Sequence, residues 1–258
     1  MRENSVGKLA GRIAIVTGAG QGVGQGIALA LAKAGVAVAV TGRTAAKLDT
    51  TCGLIARAGG QALAISCNVN SADDIRRAVE GTVGAFGGID IVVNNAQEVP
   101  LGPLLAVTDD AFERGFSSGP LASFRMMKAC YPHLKARGGG TIFNFASSAG
   151  IRWDMSNYGA YAAVKQAIRA LTRAAAAEWG PDGIRVLTIA PHALSPGLKG
   201  WIDARPEEAA AFFKTIPLRR IGDCETDIGH AIVALCGTDL GYLTGATIPL
   251  DGGQANFD

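Results

Sequence analysis

Cysteine and histidine are scarce in this chain of 258 residues, and neither is spaced for a metal site or a disulfide framework. The five cysteines, an odd number, lie far apart, and no two of them have the C-x-x-C spacing. The three histidines are equally isolated from one another. The pattern therefore predicts buried, reduced thiols, no disulfide framework and no metal site.

Long apolar runs and a strong charge of either sign are also missing. The longest apolar stretch, residues 27–41, is interrupted by Lys33 and is too short to cross a bilayer. The first five residues have mixed charge with no apolar segment behind them, unlike a signal peptide. Charged residues make up only 18%, the net charge is +2, and no basic stripe suits nucleic acid. We expect a cytoplasmic protein that binds neither membranes nor nucleic acid.

What the chain does have is a regular alternation of strand-like and helix-like segments. Strand-like runs lie at 12–17, 36–41, 61–66, 89–93, 140–146, 184–190 and 246–250, and helical patterns at 23–34, 44–58, 71–86, 108–136, 157–179 and 225–237. Most strand runs are continuously apolar, as a parallel sheet covered on both faces requires. The pattern predicts one α/β domain over residues 1–258, a doubly wound parallel sheet of about seven strands with helices on both faces.

The segment between the first strand and the first helix is the most informative. Residues 17–24 read TGAGQGVG. Such a turn brings bare backbone N–H groups and a helix N-terminus together, which suits a pyrophosphate, and its glycines allow close approach. Because a strand precedes it and a helix follows, we predict a dinucleotide site rather than an ordinary tight turn. The residues expected to line it are Gly18, Gln21, Gly22, Val23 and Gly24.

One long segment, residues 191–217, interrupts the alternation. It contains four prolines together with Trp201, Phe212 and Phe213, and a short helix is predicted from Pro206 to Lys214. Long insertions at the ligand edge of such a sheet often form lids. We therefore predict a substrate lid, with a packed peripheral helix as the alternative.

A tyrosine and a lysine are placed to transfer a proton. Tyr161 and Lys165 are four residues apart on a helical pattern, so they share one face. A nearby ammonium should lower the pKa of a tyrosine, which then suits an alcohol/ketone couple. Ser148 precedes Tyr161 by 13 positions and follows an apolar strand, where it can hydrogen-bond a substrate oxygen. The alternatives are a surface lysine beside a packed tyrosine, and a loop-capping role for Ser148 or its neighbour Ser147.

Taken together, these motifs resemble the short-chain dehydrogenase/reductase family, the single-domain Rossmann oxidoreductases, almost from end to end. The motifs in family order are TGAGQGVG at 17–24, NNA at 94–96, Ser148, YAAVK at 161–165, GIRV at 183–186, LTG at 243–245 and DGG at 251–253. The resemblance implies direct hydride transfer between a nicotinamide and the substrate. It assigns Tyr161 as general acid/base, Lys165 as the residue that binds the nicotinamide ribose and lowers the tyrosine pKa, and Ser148 as the residue that orients the substrate oxygen. A homotetramer or homodimer is also implied.

The nucleotide specificity depends on the end of the second strand. Gly42 stands where an NAD-preferring protein usually has Asp or Glu, and Arg43 can pair with a 2′-phosphate. We therefore favour NADP(H), with NAD(H) as the alternative if Arg43 stacks on adenine or faces solvent. The resemblance adds further cofactor-binding residues, which are Asn68, Val69, Asn95, Ala96, Pro191 and Leu194.

Several positions depart from the family pattern, mostly around the nicotinamide. Gln97 follows Asn94-Asn95-Ala96 where glycine is usual. Gly119 stands where the family has a helix asparagine that helps to keep a bend and a water linked to the lysine, and Ser117 or Ser118 are candidate substitutes. Further departures are Asn68 for the usual aspartate, Leu187 for an asparagine, His192 for a glycine and Pro196 for a threonine.

The sequence thus predicts an NADP(H)-dependent oxidoreductase that interconverts a secondary alcohol and a ketone on a small-molecule substrate. The expected pocket is largely apolar, which favours a hydrophobic or ring-bearing substrate. Its residues would be Gln97, Trp153, Met155, Tyr158, His192, Leu194 and Trp201, with Gln97, Trp153, Tyr158 and His192 as the substrate contacts. The alternative is a nucleotide-binding sensor or interaction protein with little turnover, which the changes at Gly119 and 192–196 suggest.

Overall fold

A computed structural model describes residues 9–151 and 156–255. These residues form a seven-stranded sheet with all neighbours parallel, in the order β3-β2-β1-β4-β5-β6-β7. The strands are β1 Ile13–Thr17, β2 Ala37–Gly42, β3 Ala62–Ser66, β4 Ile91–Asn94, β5 Gly140–Phe145, β6 Ile184–Pro191 and β7 Thr247–Leu250. The predicted doubly wound parallel sheet is confirmed, and each predicted strand forms within a few residues of its expected bounds.

The helices between the strands cover both faces of the sheet. They are α1 Gly22–Lys33, α2 Ala45–Arg57, α3 Ala72–Phe86, α4 Asp109–Phe116, α5 Ala122–Ala136, α6 Gly159–Trp179, α7 Pro196–Ala204, α8 Pro206–Phe213 and α9 His230–Cys236. No helix of the described ranges is long and apolar enough to cross a membrane.

Two predicted helices are interrupted by wider turns. The helix expected at 108–136 is divided by a π-helical turn, Ser117–Leu121, which contains Pro120. Proline has no N–H to donate to the preceding turn, so the backbone widens there instead of continuing as a regular helix. A second π-helical turn, Cys224–Gly229, opens the helix predicted from 225.

The predicted single helix within 191–217 is two helices, α7 and α8, which meet at Arg205. Pro196 and Pro206 each stand in the first turn of one helix, where the missing N–H costs nothing. The second helix begins where expected and ends at Phe213.

Two apolar layers hold the sheet between its helices. Val16, Val93 and Phe143 belong to the layer under α1, α2 and α9, whereas Ile15 and Val92 belong to the layer under α3, α5 and α6. Alternate residues of the same strands therefore serve opposite layers, and both sets are fully buried. This explains why the strand sequences are continuously apolar.

The strand order reverses between β1 and β4, and the crevice at the carboxyl ends of these two strands is where such sheets bind ligands. Thr17 ends β1 and Asn94 ends β4 at this edge. β7 closes the opposite side of the sheet as an edge strand, with Pro249 paired to Ala190 of β6.

Candidate active site

The glycine turn after β1 packs backbone against backbone. Gly18 and Gly22 have φ angles of 66° and 57°, in the left-handed region that glycine tolerates. A Cβ atom on Gly24 would lie 2.4 Å from Gly18 O and 2.6 Å from Asn95 Nδ2. The close entry of α1 into the turn therefore requires glycine at position 24.

The N-terminus of α1 is arranged to receive an anion. Within the described residues, its first turn has neither a side-chain cap nor an acidic residue, and Gln21 precedes it in an extended conformation. The positive end of the helix dipole and its unpaired N–H groups thus face the crevice. Lys47 adds a positive charge at the rim, where its Nζ donates to Gln21 Oε1. This cradle, including the start of α1 at Gly22 and Val23, fits the pyrophosphate of a dinucleotide.

Asn95 ties the end of β4 to the glycine turn. Its Nδ2 donates to Thr17 O at 3.0 Å, and the backbone N–H groups of Asn95 and Ala96 both donate to Thr17 Oγ1 at 3.0 Å. The predicted cofactor residues Asn95 and Ala96 therefore lie at the turn, where the Asn95 side chain braces its backbone.

Asn68 and Val69, two further predicted cofactor-binding residues, follow β3 at the same edge of the sheet. Asn68 N donates to Asp74 Oδ2 at 2.9 Å, and Asn68 Oδ1 accepts from Asn70 N at 3.2 Å. The hydrogen bond that Asn68 N donates to Asp74 is the main reason why the pKa of Asp74 lies below its ordinary value. The side-chain oxygen of Asn68 is thus engaged in its own loop.

Arg43 lies at the carboxyl end of β2 and points across the crevice. Its Nη1 is 3.1 Å from Glu98 Oε1, in the loop after β4. Arg114 Nε of α4 approaches the other oxygen of Glu98 at 3.6 Å. The sequence suggested adenine stacking or solvent as alternatives for Arg43, but did not foresee this carboxylate.

Tyr161 and Lys165 lie together on one face of α6, as their spacing predicts. Lys165 is only 4% exposed, its Nζ donates to Phe145 O at 2.6 Å, and the same nitrogen lies 5.3 Å from the centroid of the Tyr161 ring. Burial lowers the pKa of Lys165 to about 7 and raises the pKa of Tyr161 to about 12. The expectation of a lowered tyrosine pKa is wrong here, because loss of hydration raises the pKa of Tyr161 above its ordinary value.

Of the two adjacent serines, Ser147 is the one whose hydroxyl acts to lower the pKa of Tyr161, against the larger effect of burial. Ser147 continues the extended backbone of β5 and also accepts a bond from Ala149 N at 3.2 Å. Ser148 is buried at the start of a short helical turn, Ser148–Gly150. The spacing of 13 residues to Tyr161 favours Ser148, whereas the effect on the Tyr161 pKa favours Ser147.

Aromatic rings contact one another in the segment 191–217 and at the start of α6. The rings of His192 and Trp201 each meet the ring of Phe212 edge-on, at centroid distances of 5.4 and 5.8 Å. Tyr158 meets Tyr161 in the same manner at 6.3 Å. Tyr158 and His192, both predicted substrate contacts, thus lie on aromatic surfaces. Trp153 and Met155 lie outside the described residues.

The segment after β6 reaches the glycine turn. A Cβ atom on Gly22 would lie 3.2 Å from Pro196 Cδ, so the start of α7 touches the predicted pyrophosphate cradle. Pro191 ends β6 at the same edge. Leu194 has both backbone groups engaged, since its N donates to Gly222 O at 2.9 Å and its O accepts from Cys224 Sγ at 3.4 Å. The side chain of Leu194, 46% exposed, remains for ligand contact.

The amide of Gln97, a predicted substrate contact, is turned into the protein. Its Nε2 lies 3.1 Å from the position of a Cβ atom on Gly119, and both amide atoms are buried. The five cysteines are free thiols, and the described ranges hold no group of three or more residues able to bind a metal ion.

Comparisons with known proteins agree with this geometry. The sequence model of the enoyl-(acyl carrier protein) reductase family matches residues 18–255. The chain belongs to the short-chain dehydrogenase/reductase family. It is 39% identical to the 12alpha-hydroxysteroid dehydrogenase of Clostridium sp. (strain ATCC 29733 / VPI C48-50) over 257 residues, covering 96% of this chain and 98% of that protein. It is 37% identical to L-xylulose reductase of Bos taurus, covering 95% and 97% of the two chains.

Among solved structures, the fold is similar to 7 alpha-hydroxysteroid dehydrogenase complexed with NADH and 7-oxo glycochenodeoxycholic acid. The TM-score is 0.92 at 31% identity, with 99% of this chain and 98% of that chain covered. This protein is therefore an NAD(P)-dependent oxidoreductase acting on alcohol and ketone groups. These relatives are named dehydrogenases and reductases, and they therefore favour the enzyme interpretation over the nucleotide-binding sensor.

Proposed function

We propose that this short-chain dehydrogenase/reductase is an NADP(H)-preferring enzyme that interconverts a hydroxyl and a keto group on a hydrophobic, ring-bearing substrate of the hydroxysteroid class. The observation that carries the chemistry is the partly buried Tyr161, whose ring centroid lies 5.3 Å from Lys165 Nζ and whose pKa the Ser147 hydroxyl acts to lower. The names of two relatives, both hydroxysteroid dehydrogenases, support the substrate class.

The residues that would hold the cofactor surround the crevice. Gly18, Gly22 and Gly24 would hold the pyrophosphate, Asn95 braces this turn, and Arg43 would bind the adenosine ribose or its 2′-phosphate. When bound, the nicotinamide supplies or accepts the hydride. Hydride transfer is the cofactor's chemistry, so the protein's own residues orient the substrate and move a proton.

The Tyr161 hydroxyl is the group that donates or accepts the proton. With a pKa of about 12, this hydroxyl is protonated at neutral pH and can donate to the substrate oxygen during reduction. In the oxidative direction the deprotonated form of Tyr161, the phenolate, accepts the proton of the substrate hydroxyl, and the adjacent Lys165, when protonated, stabilises that phenolate. Ser147 is positioned to hydrogen-bond the substrate oxygen as its charge changes, so we assign to Ser147 the role that spacing suggested for Ser148.

The substrate class follows from the aromatic rings of the segment 191–217. Phe212 of α8 contacts both Trp201 and His192, so the segment 191–217 carries a cluster of ring surfaces, which we propose faces the substrate. Fused rings bury large apolar area against such a surface, whereas a sugar would leave hydroxyls without partners. We propose that α7 and α8 close over the substrate as a lid.

The preference for NADP(H) rests on charge at the end of β2. Gly42 contributes no carboxylate, Arg43 contributes a guanidinium, and Lys47 lies at the rim of the glycine turn. A 2′-phosphate would pair with the fork-shaped guanidinium, and the ribose hydroxyl of NADH would not.

We further propose a homodimer or homotetramer in the cytoplasm. Phe112, Leu121 and Phe124 are about two-fifths exposed on α4, its π-helical turn and α5. A second copy of the chain would cover these apolar side chains. The free thiols suit a reducing compartment.

The first experiment is a titration of the purified protein with NADPH and with NADH, followed by nicotinamide fluorescence and thermal shift. We expect tighter binding of NADPH, and an Arg43→Ala variant should lose about 1.5–3 kcal/mol of NADPH binding free energy but little for NADH. Preferential binding of NADH would overturn the cofactor proposal.

The second experiment measures turnover on hydroxysteroid and ketosteroid substrates, with small sugars and short-chain ketones as comparison. Tyr161→Phe should lose at least about 100-fold in kcat because the proton donor is removed. Unchanged activity of Tyr161→Phe across the panel, together with tight nucleotide binding, would support the sensor instead.

A further inference from the structure

Two residues that are distant in the chain, Gln97 and Gly119, meet inside the protein. A Cβ atom on Gly119 would lie 3.1 Å from Gln97 Nε2 and 3.4 Å from Gln97 Cδ. The same Cβ position lies 2.7 Å from Val164 Cγ1 of α6. The amide of Gln97 therefore fills the space that a side chain on residue 119 would need.

Ser118 fixes this arrangement. Its Oγ accepts a hydrogen bond from Glu98 N at 3.0 Å and donates one to Arg114 O at 2.7 Å. These bonds hold the loop after β4 against the π-helical turn, and they place Gln97 beside Gly119. The Ser118 hydroxyl is thereby committed to the two backbones, so it is not the substitute for a side chain at Gly119.

The buried amide of Gln97 needs a polar partner. Both Nε2 and Oε1 are buried, and neither has a hydrogen-bond partner among the described residues. Buried amides in folded proteins are bonded to protein or to ordered water. This amide contributes one acceptor and one donor group on the side of α6 that carries Val164, the residue before Lys165.

Lys165, in turn, needs hydrogen-bond acceptors. Its ammonium carries three N–H donors in a buried site, and one of them goes to Phe145 O at 2.6 Å. The other donors need acceptors, and Gln97 Oε1 is a buried acceptor near the same part of α6. An ordered water between the two groups would satisfy both.

We propose that Gln97 is a positioning residue of the active site, which provides from the loop after β4 the carboxamide that Gly119 lacks and, through ordered water, holds Lys165 beside Tyr161. This inference rests on the proposed role of the Tyr161 and Lys165 pair. It gives one explanation for two sequence features, a large polar residue at 97 and no side chain at 119.

The test removes the amide without opening a cavity. Gln97→Met is nearly isosteric, and we expect kcat to fall on the order of 10-fold while KM and the cofactor Kd stay within about two-fold, because only positioning is lost. A direct substrate contact would instead raise KM. Gln61→Met, at an exposed glutamine just before β3, is the matched control and should leave kcat unchanged.

A swap of the two side chains tests the geometry. Gly119→Asn alone should lower both the melting temperature and kcat, because the new side chain collides with Gln97 and Val164. The double variant Gln97→Gly/Gly119→Asn relieves the collision with Gln97 but not the one with Val164 Cγ1, so its kcat should exceed that of either single variant without reaching that of the parent. A Gln97→Met variant with full kcat, or a folded double variant no better than Gln97→Gly alone, would overturn the proposal.

The outcome for Tyr161→Phe keeps this inference separate from the proposed function. If Tyr161→Phe is inactive while Gln97→Met is fully active, only the role of Gln97 fails. If Tyr161→Phe retains full activity, the proposed mechanism itself fails.

Discussion

The guanidinium of Arg43 and the carboxylate of Glu98 form an ion pair that joins the end of β2 to the loop after β4, with 3.1 Å between Nη1 and Oε1. The pair extends across the crevice between two segments of the predicted nucleotide site. Glu98 therefore occupies the guanidinium that a 2′-phosphate would use. Arg43, the residue proposed to select NADP(H), is therefore partly neutralised by a carboxylate of the same chain.

Neutralising Glu98 should strengthen NADPH binding. The pair is largely solvent-exposed, and such pairs contribute about 0.2–1 kcal/mol, so Glu98→Gln should tighten the NADPH Kd by about 1.4- to five-fold. NADH binding should stay unchanged, and the gain should shrink at high salt. Glu80→Gln on α3 makes the same charge change at an exposed helix pair and is the control. Equal gains for both cofactors would show that Glu98 does not compete with a phosphate.

Adding one methyl group at Gly24 should disrupt the glycine turn. The new Cβ would meet Gly18 O at 2.4 Å, a backbone atom that cannot move without displacing the turn. Gly24→Ala should cost about 1–3 kcal/mol of unfolding free energy and abolish dinucleotide binding. Gly84→Ala on α3, with nothing within 4 Å of its Cβ position, should instead stabilise by about 0.5–1 kcal/mol. Urea unfolding and fluorescence titration measure both.

The two adjacent serines should differ in their effect on catalysis. Ser147→Ala removes the hydroxyl that acts to lower the pKa of Tyr161 and should lower kcat by about 10²–10³-fold. Ser148→Ala, as the matched neighbour, should retain activity within a few-fold. Steady-state kinetics on the best substrate of the panel decides between them, and a larger loss in Ser148→Ala would return the role to that residue.

The buried Lys165 should make stability depend on pH. Because burial lowers its pKa from 10.5 to about 7, the unfolded chain binds a proton between these values that the folded chain does not. The free energy of unfolding should therefore rise with pH through this window relative to a Lys165→Met variant, by at most about 1.4 kcal/mol per pH unit. Below pH 7 the difference should be constant. Urea unfolding at pH 6, 8 and 9.5 measures it, and a flat difference would contradict a buried, depressed lysine.

Local sequence patterns were sufficient for the sheet and for the helix that carries Tyr161 and Lys165. The strands are continuous apolar runs because both faces of the sheet are covered, and the spacing of four residues places the pair on one face in any α-helix. Pro120 could have signalled the interruption after α4, since proline rarely continues a helix. The glycines between a strand and a helix were likewise sufficient to predict the glycine turn proposed to bind pyrophosphate.

Contacts between distant segments could not be read in the same way. Gln97 and Gly119 each looked like a separate departure, and only the fold brings them together. Glu98 gave no signal as the partner of Arg43, because nothing in the loop after β4 indicates which strand end it faces. The tyrosine pKa was misjudged since a helical spacing shows proximity to a lysine but not the loss of water around both.

The edge strand β7 has a consequence for how copies of this protein can associate. Ala246 O and Leu250 O accept from Thr188 N and His192 N, so even-numbered residues pair with β6 and Pro249 faces outward. Proline has no N–H, so this edge lacks a donor that an added strand would need at its centre. Sheet-to-sheet extension is disfavoured there, and self-association is left to the helical surfaces.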